Sequence, residues 1–584
     1  MNPMDEPANR SLYPWISSLL VLLPFGSALA AYLGFQDVLL IVFLVVGLCA
    51  FVAILRGGNL DDRLITTLVW SISLSLILPS TFLSSYLRGE DINDEYLVAI
   101  QTSTTGVWNP QQFNPYASVL SVAILPAMIN SLSALSVVQI FKFVYPVIFS
   151  LVPVVVYKIT RKIFAPGGAF LSAFLFMSYH VFYDGMLGLA REEIAETLLV
   201  LLLLVLLSTE IGKGASGKLL LILLMLGFAV SHYSLFYIFI LVLVYSCLVS
   251  RRTGVLTLLA LMLIVGLVWY TFTAGGAAIV GVGKAISFVS ASLTNGGIFS
   301  LSSKPQDVLR AVGSAPLSPG PLQQANRWTQ ILVQLWLLLG FFVLMFKKKN
   351  AMEEKMFPLM TGGLIVLVSS IAVPGLAAAL NFNRYYQLTL LFISPFFIYG
   401  DGLVEQALRS VGLLVENHRL PRLHTPTERN ALHLAAAMLF LYFLFVSGWF
   451  TVVTAGTPTS LVLDANRMKD STNPTVSEQY YAEYTDLPDI SGAIWLHSHD
   501  IGGRPVCADI NAQDHVLLAY GEFQGTSYLP DRCHFSNSFV YLDQFNNIYG
   551  VGETYNGTFR ISELSQTLSN MNRVYSNSGV TIYA

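Results

Sequence analysis

Long apolar runs recur along most of the chain, and they constrain its fold more than any other feature of the sequence. A helix that crosses a bilayer needs about 20 mostly apolar residues. Charged residues make up 11% of the chain, against about a quarter in soluble proteins. The sequence therefore predicts a polytopic α-helical membrane protein with about 13 transmembrane helices. The predicted spans are 12–34, 37–55, 64–86, 136–157, 166–183, 192–209, 217–231, 233–250, 255–273, 328–346, 356–374, 385–400 and 431–452.

The distribution of lysine and arginine predicts how these helices are oriented. With the N-terminus in the cytoplasm, the inner segments hold 18 Lys and Arg residues, and the outer loops before the C-terminal region hold 7. Cytoplasmic segments of membrane proteins carry such an excess. We therefore expect a multi-pass protein of the cell membrane, with a cytoplasmic N-terminus and an extracytoplasmic region after Phe450.

The chain divides into a membrane domain, 1–454, and a C-terminal domain, 455–584. Two long outer loops, 87–135 and 274–327, interrupt the membrane domain. Long ordered loops often carry function, although 274–327 also fits a solvated connector. The C-terminal domain alternates short strand-like stretches with polar helical patches, which predicts an extracytoplasmic α/β domain. The strand-like stretches include 516–520 and 539–542.

Two cysteines lie in the C-terminal domain, Cys507 and Cys533, and it has no others. Extracytoplasmic compartments permit disulfides, so we expect these two residues to pair. Cys49 and Cys247 lie within apolar runs, which is typical of small buried or lipid-facing residues.

The densest group of ionisable residues follows the third predicted span, where four carboxylates fall between Glu90 and Glu95. Asp91 and Glu95 are four residues apart, so one helical turn places both on one face. Like charges this close raise the pKa of at least one group and favour a general base. The alternative is a hydrated helix start, because acids are favoured near any helix N-terminus.

Three further polar clusters stand at predicted outer ends of helices: Asp184 to Glu193, Ser231 to Ser234 and Asn381 to Tyr386. Arginine suits a bidentate phosphate contact, which makes Arg191 and Arg384 candidate phosphate ligands. The alternative is snorkelling, which needs no ligand. For His232 within the second cluster, interfacial hydrogen bonding and catalysis are both open.

Several functional classes lack their motifs in this sequence. No phosphate-binding Gly-x-x-x-x-Gly-Lys-Ser/Thr loop, no Cys/His metal spacing and no Gly-x-Ser-x-Gly elbow occurs. The formal net charge of −3 gives no basic field that points to nucleic acid.

The acidic loop, the topology and the outer domain together resemble the GT-C glycosyltransferases, which are membrane enzymes that take sugars from polyprenyl-phosphate carriers. Within that superfamily, the sequence resembles a largely archaeal group of predicted membrane glycosyltransferases. The similar elements are Gly89-x-Asp91-Ile92-x-x-Glu95-Tyr96, Ser-His-Tyr-Ser at 231–234, Arg-Tyr-Tyr-Gln at 384–387 and the segment from Asn572 to Tyr583.

The resemblance implies specific roles for residues of the outer face. Asp91 becomes the catalytic base near the acceptor, with Glu95 or Asp94 as its partner. Cationic residues hold the carrier phosphate. The candidates for this role are Arg191, Arg384 and Arg88. The candidates for lining the substrate cavity are His232, Tyr233, Glu192 and Tyr385. The amphipathic stretch 116–133 would lie along the membrane surface.

These observations predict an inverting glycosyltransferase that moves a sugar from a polyprenyl-phosphate donor to an acceptor at the outer face. The expected partners are that donor, membrane lipid, and a glycan, lipid or protein acceptor, without nucleic acid. The resemblance implies no required cofactor, and a divalent metal is left open. The Trp-Trp-Asp-Tyr-Gly element of oligosaccharyltransferases is missing, which disfavours transfer to a peptide sequon. The alternatives are a flippase or transporter of lipid-linked sugars, and a non-catalytic membrane scaffold with an outer interaction domain.

Overall fold

The structure is a computed structural model, and it describes residues 13–57, 60–89, 91–110, 114–208, 214–250, 253–275, 283, 286–287, 289–291, 320–373, 376, 381–415, 432–499, 503–523, 526–554 and 557–584. Glu90 and almost all of the predicted loop 274–327 lie outside the described residues.

The chain packs as two compact units. Unit 1 comprises Met1–Ser80, Tyr145–Met186 and Glu192–Thr457, and unit 2 comprises Thr81–Val144, Leu187–Arg191 and Pro458–Ala584. The domain boundary expected between 454 and 455 stays a prediction, because packing alone does not report which residues meet the membrane.

Unit 1 is built from helices. Two of them, Asp62–Phe82 and Ala190–Leu207, each include two residues of the segments assigned to unit 2. The helices are Tyr13–Tyr32, Gln36–Arg56, Asp62–Phe82, Tyr145–Phe149, Val152–Thr160, Pro166–Ser178, His180–Tyr183, Ala190–Leu207, Gly214–Ser231, Tyr233–Ser250, Thr253–Val268, Trp269–Thr273, Pro321–Phe346, Ala351–Ala372, Phe382–Val415, His433–Val446 and Trp449–Val453.

Within the described ranges, 9 helices are long and apolar enough to cross a membrane, so the protein is a multi-pass membrane protein. Each predicted span overlaps at least one helix of the structure. The nine are Gln36–Arg56, Asp62–Phe82, Val137–Thr160, Gly214–Ser231, Tyr233–Ser250, Gly254–Thr273, Pro321–Phe346, Ala351–Ala372 and Phe382–Leu408. Three further predicted spans contain shorter apolar helices, Leu20–Tyr32, Pro166–Ser178 and His433–Val446. The remaining predicted span, 192–209, corresponds to the helix Ala190–Leu207, whose first two turns carry four charged residues.

Small residues allow close helix packing in unit 1, as is common where helices meet in membranes. A Cβ atom on Gly340 would lie 1.7 Å from the carbonyl oxygen of Phe396, and one on Gly400 would lie 2.1 Å from that of Trp336. The two backbones therefore approach so closely that only glycine fits at the crossing of Pro321–Phe346 with Phe382–Val415.

Unit 2 combines the loop 87–135, predicted to lie outside, with the C-terminal domain. The helical segments from the loop are Asp91–Thr105, Pro115–Ser118, Leu120–Ala123 and Leu125–Leu132, and those from the start of the following span are Val137–Gln139 and Ile140–Val144. Those of the C-terminal domain are Ala465–Lys469, Pro474–Tyr481, Leu487–His499, Ala512–Leu517, Phe535–Asn537, Gln544–Tyr549, Ile561–Leu564 and Ser565–Ser569.

The C-terminal domain contains a five-stranded mixed sheet and a separate hairpin. The strands are β1 (Val506–Ala508), β2 (Ser527–Tyr528), β3 (Phe539–Leu542), β4 (Val551–Thr554), β5 (Gly557–Arg560), β6 (Arg573–Ser576) and β7 (Thr581–Tyr583). The sheet order is β2-β1-β3-β7-β6, and β4 pairs with β5. β1 is parallel to β2 and β3, whereas β7 is antiparallel to β3 and β6. This mixture of helices and strands agrees with the expected α/β domain.

One of the two predicted strands is wrong. The stretch 539–542 forms β3, but 516–520 begins within the helical segment Ala512–Leu517 and continues as a turn. Val516 and Leu517 are buried in the domain core in this helical form. A short apolar run does not distinguish a buried helix from a buried strand, which explains the error.

Candidate functional site

The acidic cluster begins a helix, Asp91–Thr105, which we call the acidic helix. Gly89 precedes it with φ +99°, and a Cβ there would lie 2.9 Å from the Cα of Gly188. The buried Asn93 side chain donates from Nδ2 to the Gly89 carbonyl at 2.7 Å. Glycine at this turn and the asparagine hydrogen bond therefore fix the direction in which the helix starts.

Arg191 lies against two carboxylates of the acidic helix. Its Nη2 donates to Asp91 Oδ2 at 2.9 Å, and its Nη1 donates to Glu95 Oε1. The Arg191 backbone N–H also donates to Glu95 Oε2 at 3.3 Å. The i, i+4 spacing thus presents both acids to one guanidinium. We call these three residues the Arg191 cluster.

The members of the Arg191 cluster differ in exposure. The Glu95 side chain is fully buried, whereas the Asp91 side chain is 22% exposed. Burial raises the pKa of Glu95 to about 8, since the positive charge of Arg191 only partly compensates and the Asp91 carboxylate adds to the rise. Asp91 is therefore the acid that a ligand can reach, and Glu95 is an internal acid that holds a proton at neutral pH.

Tyr116 and Asn114 complete the surroundings of Arg191. The Arg191 guanidinium lies 4.4 Å from the centre of the Tyr116 ring, a cation–π contact. Asn114 Oδ1 accepts from the Tyr116 N–H at 2.9 Å, and Asn114 Nδ2 donates to Asp94 Oδ1 at 3.1 Å. Through Asn114, Asp94 therefore helps to hold the Tyr116 ring against Arg191.

Residues of the C-terminal domain hold the chain just before the acidic helix. Arg88 forms a β-bridge with Tyr484, its guanidinium lies 4.8 Å from that ring, and its Nε is 3.5 Å from Glu483 Oε2. The Tyr520 hydroxyl accepts from the Leu87 N–H at 3.2 Å. The C-terminal domain thus helps to set the position of the acidic helix within unit 2.

The predicted phosphate ligands have these contacts inside the protein. Arg88 and Arg191 are 5% and 4% exposed and bind carboxylates of unit 2. Arg384 belongs to unit 1, where it is half-buried in the first turn of Phe382–Val415. Phosphate binding by all three stays a prediction, and so does a cavity shared by Arg191 and Arg384.

The predicted cavity residues of unit 1 include a buried pair formed by His232 and Glu192. His232 Nε2 lies 3.1 Å from Glu192 Oε1, and His232 Nδ1 accepts from the Leu235 N–H at 3.2 Å. Since Nδ1 is an acceptor, Nε2 carries the ring hydrogen of the neutral form, and it lies beside the Glu192 carboxylate. His232 thereby joins Glu192 to the start of the helix Tyr233–Ser250. The Tyr233 ring lies 5.5 Å from that of His232.

The cluster from Asn381 to Tyr386 begins the helix Phe382–Val415, where Tyr385 is buried. The Tyr179 hydroxyl donates to Asn383 Oδ1 at 2.9 Å, and its ring lies 4.9 Å from that of Tyr386. Whether this cluster lines a substrate cavity stays a prediction.

The structure joins Cys507 to Cys533 in a disulfide with an S–S distance of 2.08 Å. Within the described residues, no group of three or more His, Cys, Asp or Glu side chains is arranged to hold a metal ion.

Residues 217–583 match the family model described as "Predicted membrane protein (DUF2206)", which is more than half of the chain. The chain belongs to the DUF2206 family. The matched part of this DUF2206 protein includes His232, Arg384 and the disulfide, whereas the acidic helix and Arg191 precede it. No curated protein matches the chain.

The sequence did not indicate Tyr116, Asn114 or Tyr520 as parts of this region. A Pro-Tyr pair in a polar loop and a tyrosine in an apolar stretch are ordinary features. The four charged residues at the start of Ala190–Leu207 were the available signal for Arg191, because such a group is rare in a membrane helix.

Proposed function

We propose that this DUF2206 protein is an inverting glycosyltransferase that uses a polyprenyl-phosphate-linked sugar at the outer face of the membrane. The proposal includes a GT-C-like arrangement of about 13 transmembrane helices with the N-terminus in the cytoplasm. The observation that carries it is the Arg191 cluster, in which one carboxylate is reachable and the other is buried.

In the proposed reaction, the acceptor hydroxyl oxygen attacks the anomeric carbon of the donor sugar. The bond between that carbon and the phosphate oxygen breaks, and the polyprenyl phosphate leaves with the bonding electrons. Asp91 accepts the hydroxyl proton, which is general-base catalysis. The leaving phosphate needs positive charge, and Arg384 is our proposed source of it.

Arg191 has a different proposed role from the one expected of it. Both of its terminal nitrogens bind carboxylates, so we propose that it orients Asp91 rather than holding phosphate. A charged hydrogen bond and the Tyr116 ring restrict the guanidinium, and the guanidinium restricts Asp91. Glu95 then acts as a positioning residue, since it is fully buried and cannot touch a substrate.

Turnover of the lipid donor tests the proposal. The purified chain would be placed in proteoliposomes with polyprenyl-phosphate-linked hexoses or N-acetylhexosamines and an acceptor extract from envelope membranes. We expect protein-dependent release of free polyprenyl phosphate together with a glycosylated acceptor. Transbilayer movement of the donor without loss of its sugar would instead support the flippase alternative and contradict the proposal.

A further inference from the structure

The C-terminal domain has a surface cleft remote in sequence from the acidic helix. Its volume is about 410 Å³, within the range of about 300–1,000 Å³ that is usual for small-molecule sites. One side is the short helical turn Phe535–Asn537, and the other is the helix Ser565–Ser569 with the two residues after it. The cleft is open to solvent and large enough for a short chain of sugar rings.

The floor of the cleft is apolar and anchored to the core. Phe535 and Met571 line it and pack against the buried cluster that includes Leu542 and Leu568. Cys533, two residues before Phe535, is bonded to Cys507 in β1. A covalent anchor this close keeps the Phe535 ring in position before a ligand arrives, which lowers the entropy cost of binding.

Apart from the methyl group of Ala584, the side chains at the rim of the cleft are polar and uncharged. They are Ser536, Gln566, Thr567 and Asn570, which offer two hydroxyl groups and two amides. Among the residues that the structure describes, none of these four side chains has a hydrogen-bond partner. The rim therefore presents donors and acceptors to a ligand without any side-chain charge.

We propose that this cleft binds a neutral saccharide. A sugar ring has an apolar face, formed by its C–H groups, and an edge of hydroxyl groups that both donate and accept hydrogen bonds. The Phe535 and Met571 side chains match the face, and the amides and hydroxyls of the rim match the edge. A phosphorylated or acidic ligand would lack a cationic partner there. Saccharide binding in this cleft does not require the proposed transfer reaction, so the two can be tested separately.

Binding to the full-length protein in detergent tests the inference. The probes are neutral oligosaccharides of two to four hexose or N-acetylhexosamine units, tested singly by saturation-transfer NMR and titration calorimetry. We expect at least one to bind, and Asn570→Ala to weaken its binding by about three- to tenfold, the value of one hydrogen bond. Phe535→Ala should weaken it further, and Phe535→Tyr, which keeps the ring, should preserve it.

Asn466→Ala is the matched control, because Asn466 is also an exposed asparagine of unit 2 without a side-chain hydrogen bond in the described part of the chain. It should leave the dissociation constant unchanged. The inference is overturned if no probe binds at concentrations up to about 10 mM. It is also overturned if Asn570→Ala binds as the wild type does, or if an acidic or phosphorylated sugar displaces the neutral one from the cleft.

Discussion

Arg191 and Glu95 should be energetically coupled, and a double-mutant cycle measures that coupling. Arg191→Met removes the positive charge and leaves the fully buried Glu95 without it. Removing one partner of a buried ion pair costs about 3–5 kcal/mol. Glu95→Gln keeps the size of the side chain and one oxygen that accepts a hydrogen bond from Arg191. It should lower the free energy of local opening by about 1 kcal/mol. With Gln at position 95, the Arg191→Met change no longer strands a buried acid.

The double variant should therefore be less destabilised than the sum of the single variants, by about 1–3 kcal/mol. Hydrogen exchange of peptides from the acidic helix provides the assay, since it reports the free energy of local opening without global unfolding. Wild type, both single variants and the double variant would be compared in one detergent at pH 9, where Glu95 of the wild type is ionised and forms the ion pair with Arg191. Additivity within about 0.5 kcal/mol would show that Arg191 and Glu95 are not coupled, because independent sites add to that precision.

Three further outcomes concern the protonation of Glu95, the disulfide and the membrane orientation. The folded-state pKa of Glu95, about 8, lies above its ordinary value of 4.5. The contribution of Glu95 to stability is therefore complete below pH 4.5 and is lost as the pH rises through 8. Local opening of the acidic helix should thus become easier by about 2–3 kcal/mol between pH 6 and pH 9, and Glu95→Gln should abolish this dependence. Cys533→Ser should reduce the stability of the C-terminal domain by about 2–4 kcal/mol, and mass spectrometry of the unreduced wild type should find no free thiol at position 533. A cysteine placed at the exposed Ser498 should react with an impermeant reagent in intact cells and one placed at Lys349 should not, whereas the reverse pattern would contradict the orientation.

The helices of the membrane domain were predictable because span length and hydrophobicity leave few alternatives in a bilayer. Segments such as Gln36–Arg56 and Tyr233–Ser250 differ from their predicted bounds by a residue or less at each end. The small sheet of the C-terminal domain was harder to predict from the sequence. Its strands are two to four residues long, and at that length periodicity carries little information, as the stretch 516–520 illustrates.

The candidate site was predictable only in its local part. The spacing of Asp91 and Glu95 indicated a shared helical face, because both lie one turn apart on the acidic helix. Their partner Arg191 lies about 100 residues away in the chain, and no local pattern links such positions. The opposite exposures of the two acids could not be predicted either, since burial depends on how Tyr116 and the C-terminal residues pack.

The most direct test of Asp91 as the catalytic base compares two aspartates of the acidic helix in the donor-turnover assay. Asp91→Asn keeps the size of the side chain but removes its capacity to take a proton, so transfer should fall by about a hundred- to ten-thousand-fold. Asp94→Asn is the matched control. Its amide can still bind Asn114, and transfer should stay within about tenfold of the wild type. Hydrogen exchange should show that the acidic helix remains folded in both variants. Near-normal transfer by Asp91→Asn, with Asp94→Asn inactive, would contradict the assignment of Asp91 as the base.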